Sequence, residues 1–125
     1  MKKLSKNDII FLHENLIEIY GGDKKIRDHN LLNLSANSPY QTFDGVDLYE
    51  GIIEKAVHLC FSLIMNHPFV DGNKRIGAHC LLILLDSNGI TLDYQQDELI
   101  EIILDIASSR KNEEALLNWV KDHKL

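Results

Sequence analysis

The chain has 125 residues, a formal net charge of -6 and 45% apolar residues. This length fits one compact domain spanning residues 1–125, and the apolar content excludes wholesale disorder. The acidic balance excludes a surface that gathers nucleic acid, so a phosphate-binding site has to be a local basic spot. The apolar runs are too short to span a membrane and no signal-peptide core follows the first residues, so we expect a cytoplasmic protein.

Helix signals begin near the start of the chain. Ser5 with Asp8 resembles a capping box, and Gly21-Gly22 ends the helix that it opens. The apolar residues of this helix at helical spacing are Ile9, Leu12, Leu16 and Ile19. Asp28 can cap a short second helix, which has to end before Pro39.

The middle of the chain predicts a short extended segment and then two long helices. Residues 40–46 suit a flap or hairpin, and no longer alternating strand is present. Asp47 with Glu50 forms a second capping pair, which predicts a helix from about residue 48 to residue 65. The next helix is predicted over residues 73–87, up to an Asn-Gly turn.

The remaining elements are helical as well. Residues 80–85 are apolar on every side, which is typical of a helix in the centre of a bundle. Asp93 with Gln96 predicts the start of the next helix, and Asn112 predicts the cap of the last one. The sequence therefore predicts an all-α bundle of about six helices with a short extended flap.

The residues suited to chemistry lie between the two long helices, in the segment His-Pro-Phe-Val-Asp-Gly-Asn-Lys-Arg, 67–75. Pro68 disfavours helical geometry at His67, so the long helix should end there and leave the imidazole on a fixed, extended backbone. Phe69 is interpreted as an apolar anchor of the loop. Gly72 permits close approach of backbone to a ligand.

A phosphate site is expected where the helix after Gly72 begins, because its first N–H groups are free and carry the positive end of the dipole. Lys74 and Arg75 add two cations at this point. Asp71 is either a cap of that helix or the ligand of a Mg²⁺ ion bridging phosphate oxygens. His67 is the one group in the segment suited to accept a hydroxyl proton near neutral pH. Phosphoryl or nucleotidyl transfer needs these parts together.

The segment 67–75 resembles the signature of the Fic/Doc family, helical proteins that transfer part of a nucleotide to protein hydroxyls. Two upstream stretches, Ile26–Leu32 and Ser38–Gly45, resemble the Doc branch, the death-on-curing toxins of toxin–antitoxin pairs. The resemblance extends over about residues 25–90.

The resemblance implies roles for individual positions. His67 would be the general base and Asp71 the Mg²⁺ ligand. Residues of the anion hole would be Gly72, Asn73 and Lys74, with Arg75 in contact with phosphate. The flap that aligns the target, by main-chain pairing, would consist of Gln41, Thr42, Phe43, Asp44, Gly45 and Val46.

Two positions depart from the AMP-transferring branch, which has Gly where this chain has Lys74 and Arg where it has Ala78. Both departures resemble the Doc branch, for which the family implies a reversed nucleotide pose and transfer of the γ-phosphoryl group of ATP. We therefore favour a kinase-like toxin acting on a threonine of elongation factor Tu, with AMP transfer as the alternative.

The family's internal inhibitory pattern, Ser/Thr-x-x-x-Glu followed by Gly or Asn, is not matched. Residues 109–113 come near it, but Glu114 follows, so inhibition is expected from a separate small antitoxin protein. A non-catalytic binding module remains open, as does a metal phosphohydrolase with ligands from His58, His67 and His79. Taken singly, His58 and His79 are both interpreted as structural, with nucleotide contact as the alternative for His79.

Overall fold

A computed structural model describes all 125 residues, and it confirms the all-α fold. The helices are α1 (Lys6–Tyr20), α2 (His29–Asn37), α3 (Ile52–Asn66), α4 (Asn73–Ser87), α5 (Gln96–Ala107) and α6 (Glu113–His123). Between α2 and α3 the chain forms a short 3-10 turn and then a two-stranded hairpin, β1 (Thr42–Phe43) and β2 (Val46–Asp47). None of the helices is both long and apolar enough to cross a membrane.

The helices share one hydrophobic core, in which 21 buried residues form a continuous cluster. The pair α3 and α4 lies at its centre, with α1 and α5 against α4 and with α2 and α6 against α3. In the middle of α4, Cys80 and Leu81 are 0% exposed and Leu84 and Leu85 are 1% exposed. Leu82 and Ile83 are only partly buried, so the predicted central position is confirmed for one face of this stretch and not for every side. The loop that joins α3 to α4 is thus attached at both ends to the two helices at the centre of the core.

Several helix ends follow their local sequence signals. Ser5 and Asp8 form the predicted reciprocal capping box, with N···O distances of 2.9 and 3.1 Å. The side chains of Asp28 and Asn112 each accept a hydrogen bond from the backbone N–H three residues further on, at 3.0 Å. These caps satisfy N–H groups that have no partner within their own helix.

The predicted start of α3 is wrong. Asp47 and Glu50 do not cap this helix, which begins at Ile52. Asp47 lies in β2, and its carboxylate accepts a hydrogen bond from Nζ of Lys55 at 3.0 Å. Pairing with a residue further along the chain therefore replaces the local cap.

The predicted start of α5 is also wrong, by a shorter distance. The helix begins at Gln96, where the carboxylate of Glu98 accepts a hydrogen bond from the N–H of Gln95 at 2.8 Å. Asp93 does not cap it, and its backbone N–H instead donates to the carbonyl of His123 at 2.7 Å. That contact joins the segment before α5 to the end of α6.

The buried face of α1 differs from the apolar set expected from spacing alone. Its buried residues are Ile9, His13 and Ile17, which lie four positions apart, whereas Ile19 is 71% exposed. The face that meets the core therefore includes a histidine, and that histidine contacts the loop between α3 and α4.

The predicted flap is the hairpin of β1 and β2, joined by a two-residue turn at Asp44 and Gly45. Both turn residues have positive φ values, 52° and 76°, which is the requirement of the tight turn that matches strand twist. All four strand residues are exposed, and Phe43 and Val46 are 76% and 61% exposed. The hairpin thus projects from the helical body with little burial of its own.

Candidate active site

The loop between α3 and α4 begins with His67, directly after the last residue of α3. As predicted, the helix ends before His67, but the expected extended backbone is wrong: His67 has φ 49° and ψ 55°. This left-handed conformation ends a helix and also avoids the helical region that a following proline disfavours. It costs about 1–3 kcal/mol for a residue other than glycine, so its surroundings have to hold it. The imidazole is exposed and makes no hydrogen bond within the protein.

The middle of the loop is anchored to the core by Phe69, which is 1% exposed, as predicted. Its ring stacks on that of His13 in α1, with centroids 3.7 Å apart and an interplanar angle of 9°. The side-chain amide of Asn73 accepts from the N–H of Phe69 at 3.0 Å and donates to its carbonyl at 2.9 Å. Asn73 therefore closes the loop with its buried side chain. Its backbone N–H is the first of α4.

The outer side of the loop is paired with the segment that leads into α2. The backbone N–H groups of Arg27 and Asp28 both donate to the carbonyl of Pro68, at 2.7 and 3.1 Å. The N–H of Val70 donates to the carbonyl of Lys25 at 3.0 Å. The loop thus carries a short antiparallel bridge to a segment about 40 residues earlier in the chain.

The guanidinium group of Arg27 adds two further hydrogen bonds to the same region. Its Nε donates to the carbonyl of His67 at 2.6 Å, and its Nη2 donates to the carbonyl of Asn66 at 2.9 Å. Both carbonyls lie at the end of α3, where no intrahelical donor is available. A cation at this end of a helix is also favoured by the helix dipole.

The start of α4 presents free donors next to two cations. Gly72 is the N-cap residue, with φ 76°, and its own N–H donates to Oδ1 of Asp71 at 2.9 Å. The next three backbone N–H groups, of Asn73, Lys74 and Arg75, have no acceptor within the protein. The side chains of Lys74 and Arg75 are exposed beside them. This arrangement can bind an anion such as phosphate.

Asp71 is held by its backbone and leaves part of its carboxylate free. His13 Nε2 donates to the Asp71 carbonyl at 2.7 Å, and no donor in the protein contacts Oδ2 of the exposed side chain. Mg²⁺ commonly binds through one or two carboxylates together with substrate phosphates. Asp71 therefore fits a Mg²⁺ ion that is shared with a nucleotide.

A groove of about 460 Å³ between α1, α4 and α5 adjoins this site. Its lining includes Leu16, Tyr20, Lys74, Arg75, Ala78 and His79. The guanidinium carbon of Arg75 lies 4.1 Å from the centre of the Tyr20 ring, a cation–π contact that keeps this cation at the mouth of the groove. Burial lowers the pKa of His79, so its neutral form is favoured there. The site therefore has room for a ligand beyond phosphate groups.

His58 does not join the loop. His58 Nδ1 lies 2.7 Å from the carboxylate of Glu113, and its Nε2 lies 3.2 Å from Oγ of Ser62. This pairing links α3 to α6. Its glutamate is the one in residues 109–113, the stretch that comes near the family's inhibitory pattern. No group of three or more His, Cys, Asp or Glu side chains is placed to hold a metal ion. The three histidines considered for a phosphohydrolase are therefore not brought together.

Sequence reasoning missed two residues of the site, His13 and Arg27. The signal for His13 was its place four residues from Ile9 and Ile17 on the apolar face of α1. Arg27 lies inside the upstream stretch that resembles the Doc branch, but nothing local to it indicates that it meets the end of α3.

The fold and the loop together define the class of protein: the chain belongs to the Fic/DOC family, whose sequence profile matches residues 3–85. The matched residues include α1 to α3, the hairpin, the loop and nearly all of α4. The chain is also similar to Toxin Doc of Mycolicibacterium smegmatis (strain ATCC 700084 / mc(2)155). The two are 36% identical over 91 residues, which is 71% of this chain and 70% of the relative.

Proposed function

We propose that this protein is the toxin of a toxin–antitoxin pair and transfers the γ-phosphoryl group of ATP to a protein hydroxyl. The target that we favour is a threonine of elongation factor Tu, so that the reaction inhibits translation in the cytoplasm. Mg²⁺ would accompany the ATP, and a small antitoxin protein would inhibit the reaction. Family membership and the similarity to a protein named Toxin Doc support the toxin assignment.

The observation that carries the proposal is one loop with an exposed imidazole at its start and three free backbone amides at its end. The amides of Asn73, Lys74 and Arg75 would receive phosphate oxygens without any rearrangement. Such preorganised donors stabilise the negative charge of a transferring phosphoryl group. The two adjacent cations add to the same effect.

Each residue has a defined task in the proposed reaction. His67 accepts the proton of the target hydroxyl as its oxygen forms a bond to the γ-phosphorus. The bond between that phosphorus and the oxygen bridging to the β-phosphate breaks, and ADP leaves. Asp71 would hold the Mg²⁺ ion, which neutralises phosphate charge when it is bound. Lys74 and Arg75 hold the nucleotide in place.

Two positions favour transfer of the γ-phosphoryl group over transfer of AMP. Lys74 places a long cationic side chain at the anion site, where the AMP-transferring branch has glycine. Ala78 lines the groove and offers no donor for a terminal phosphate, where that branch has arginine. These differences support the kinase-like reaction, and the mass of the modified target decides between the two.

The hairpin supports a protein rather than a small-molecule acceptor. Its strands are exposed, so their free backbone groups can pair with an extended segment of a target. Residues 41–46 would in this way align the target hydroxyl with His67.

The proposal is tested by incubating elongation factor Tu with ATP, Mg²⁺ and either the wild type or His67→Ala, followed by intact-mass analysis. We expect the wild type to add the mass of one phosphoryl group, and the variant to be slower by about 10²–10⁴-fold. His29→Ala is the matched control, because His29 is also exposed but lies outside the loop.

Other outcomes would replace the proposal. An added adenylate would make the protein an AMP transferase, and phosphate release without any protein acceptor would make it a phosphohydrolase. Equal growth inhibition by wild type and His67→Ala in bacteria would make it a binding module. A small reading frame found beside the gene, whose co-expression relieves the growth inhibition, would support the antitoxin.

A further inference from the structure

The backbone of His67 needs support that α3 itself does not supply. The residue is left-handed, and the carbonyls of Asn66 and His67 lie beyond the last donors of α3. Both carbonyls would face solvent without an outside partner. Any change in the φ and ψ angles of His67 would turn the imidazole away from its present direction.

Arg27 supplies that support from a different part of the chain. One guanidinium group spans both carbonyls, with distances of 2.6 Å to His67 and 2.9 Å to Asn66. A planar fork of this kind restrains the relative orientation of two peptide units, which a single-point donor cannot do.

The support is itself anchored to the loop. The backbone N–H of Arg27 donates to the Pro68 carbonyl. The backbone and the side chain of Arg27 are therefore both bonded to the same stretch of the chain. Asn66 is held a second time, because its Nδ2 donates to Oγ of the buried Ser35 in α2 at 2.9 Å. Asn66 is therefore held through both its carbonyl and its side chain, whereas the His67 carbonyl is held by Arg27.

We propose that Arg27 is a positioning residue for His67: it holds the left-handed backbone that directs the imidazole toward the incoming hydroxyl. This inference rests on the proposed function through the assignment of His67 as the base. Arg27 does not touch the reacting groups in this role. Its loss should lower the rate of transfer without weakening the binding of nucleotide.

The kinetic test compares Arg27→Gln and Arg27→Lys in the full chain, with elongation factor Tu and ATP as substrates. We expect Arg27→Gln to lower kcat by about 10–100-fold, a part of the total effect of a general base, with KM for ATP unchanged. Arg27→Lys should recover only part of the loss, because an ammonium group cannot bind both carbonyls in one plane. Arg110→Gln is the matched control, since this arginine is exposed and pairs only with neighbouring residues.

A double variant tests whether Arg27 acts through His67. In the His67→Ala background, Arg27→Gln should produce no further fall in kcat, because residues that act as one unit are not additive. An additional fall of the same size as in the wild type would overturn the inference.

A structural measurement tests the inference without any activity. The coupling between the amide and α protons of His67, measured by NMR in the free protein, reports its φ angle. We expect it to change in Arg27→Gln and to stay the same in Arg110→Gln, and an unchanged coupling overturns the inference. Unchanged kcat with a raised KM for ATP would also overturn it, by making Arg27 a phosphate ligand. If the wild type modifies no protein, the proposed function fails, whereas the coupling still tests the role of Arg27.

Discussion

The loop between α3 and α4 and the hairpin of residues 42–47 would serve the same reaction, yet the fold holds them in different ways. The loop is contacted by α1, by the segment before α2 and by its own helix start, through Phe69, Arg27 and Asn73. All residues of the two hairpin strands are exposed, and the hairpin is tied to the body at its base by Lys55.

The difference follows from what each segment would bind. Groups that stabilise a transition state have to be placed before the reaction, which requires a loop with little freedom. A segment that pairs with the backbone of a protein target gains from freedom to adjust, and regions of low burial provide it. Variants of the two segments can contradict or refine this contrast.

The largest expected effect is on stability, and it compares two phenylalanines. Phe69→Ala removes a ring that is 1% exposed and stacked on His13, so we expect the free energy of unfolding to fall by about 3–5 kcal/mol. Phe43→Ala removes a ring that is 76% exposed and should change stability by less than about 0.5 kcal/mol. Urea unfolding of both variants measures this, and similar losses in the two would contradict the contrast.

A second prediction concerns the base of the hairpin. Lys55 is 3% exposed, and its ammonium group donates to the Asp47 carboxylate and to the carbonyl of Tyr49. Lys55→Met keeps the volume but removes both bonds, so stability should fall by about 1–3 kcal/mol. Backbone amides of the hairpin should then exchange with deuterium faster, while those of the loop keep their rates.

The control for that experiment is Lys24→Met. Lys24 pairs with Glu18 at 2.9 Å, but both side chains are more than half exposed, so solvent screens this pair and it should contribute little to stability. Hairpin exchange that stays at the wild-type rate in Lys55→Met would show that the strands are held by other contacts.

The smallest predicted effect depends on pH and leaves both segments unchanged. Hydrogen bonds to the Trp119 carbonyl and the Glu98 carboxylate raise the pKa of His123. Because the folded pKa lies above the unfolded one, the stabilisation is fully present below the unfolded pKa and is lost as pH rises through the folded pKa. His123→Gln should therefore flatten the decline of stability as the pH rises above the ordinary histidine pKa of 6.5, as measured by urea unfolding at several pH values. A wild-type profile that is equally flat would contradict this.

The sequence predicted those parts of the fold that depend on neighbouring residues. Ser5, Asp28 and Asn112 cap their helices through N–H groups three residues away, and Pro68 ends α3 by its own geometry. The prediction at Asp47 failed because a residue eight positions later in α3 takes its carboxylate. A local capping signal has no information about such a partner.

The candidate site was found because its exposed groups are contiguous in the chain, from His67 to Arg75. The residues that support the site were not predicted, because their hydrogen bonds are not local. Arg27 donates to a carbonyl 40 residues away, and His13 donates to one 58 residues away. The left-handed backbone of His67 was missed for the same reason: it depends on that distant arginine as much as on the following proline.

The bridge between the segment before α2 and the loop has a consequence for synthesis of the chain on the ribosome. The first 28 residues include His13, whose ring stacks on Phe69 and donates to the Asp71 carbonyl. They also include Arg27, whose guanidinium group donates to the His67 carbonyl. These residues emerge before residues 66–75 and have no loop to contact until those residues follow. A nascent chain that ended before residue 75 would carry no assembled site.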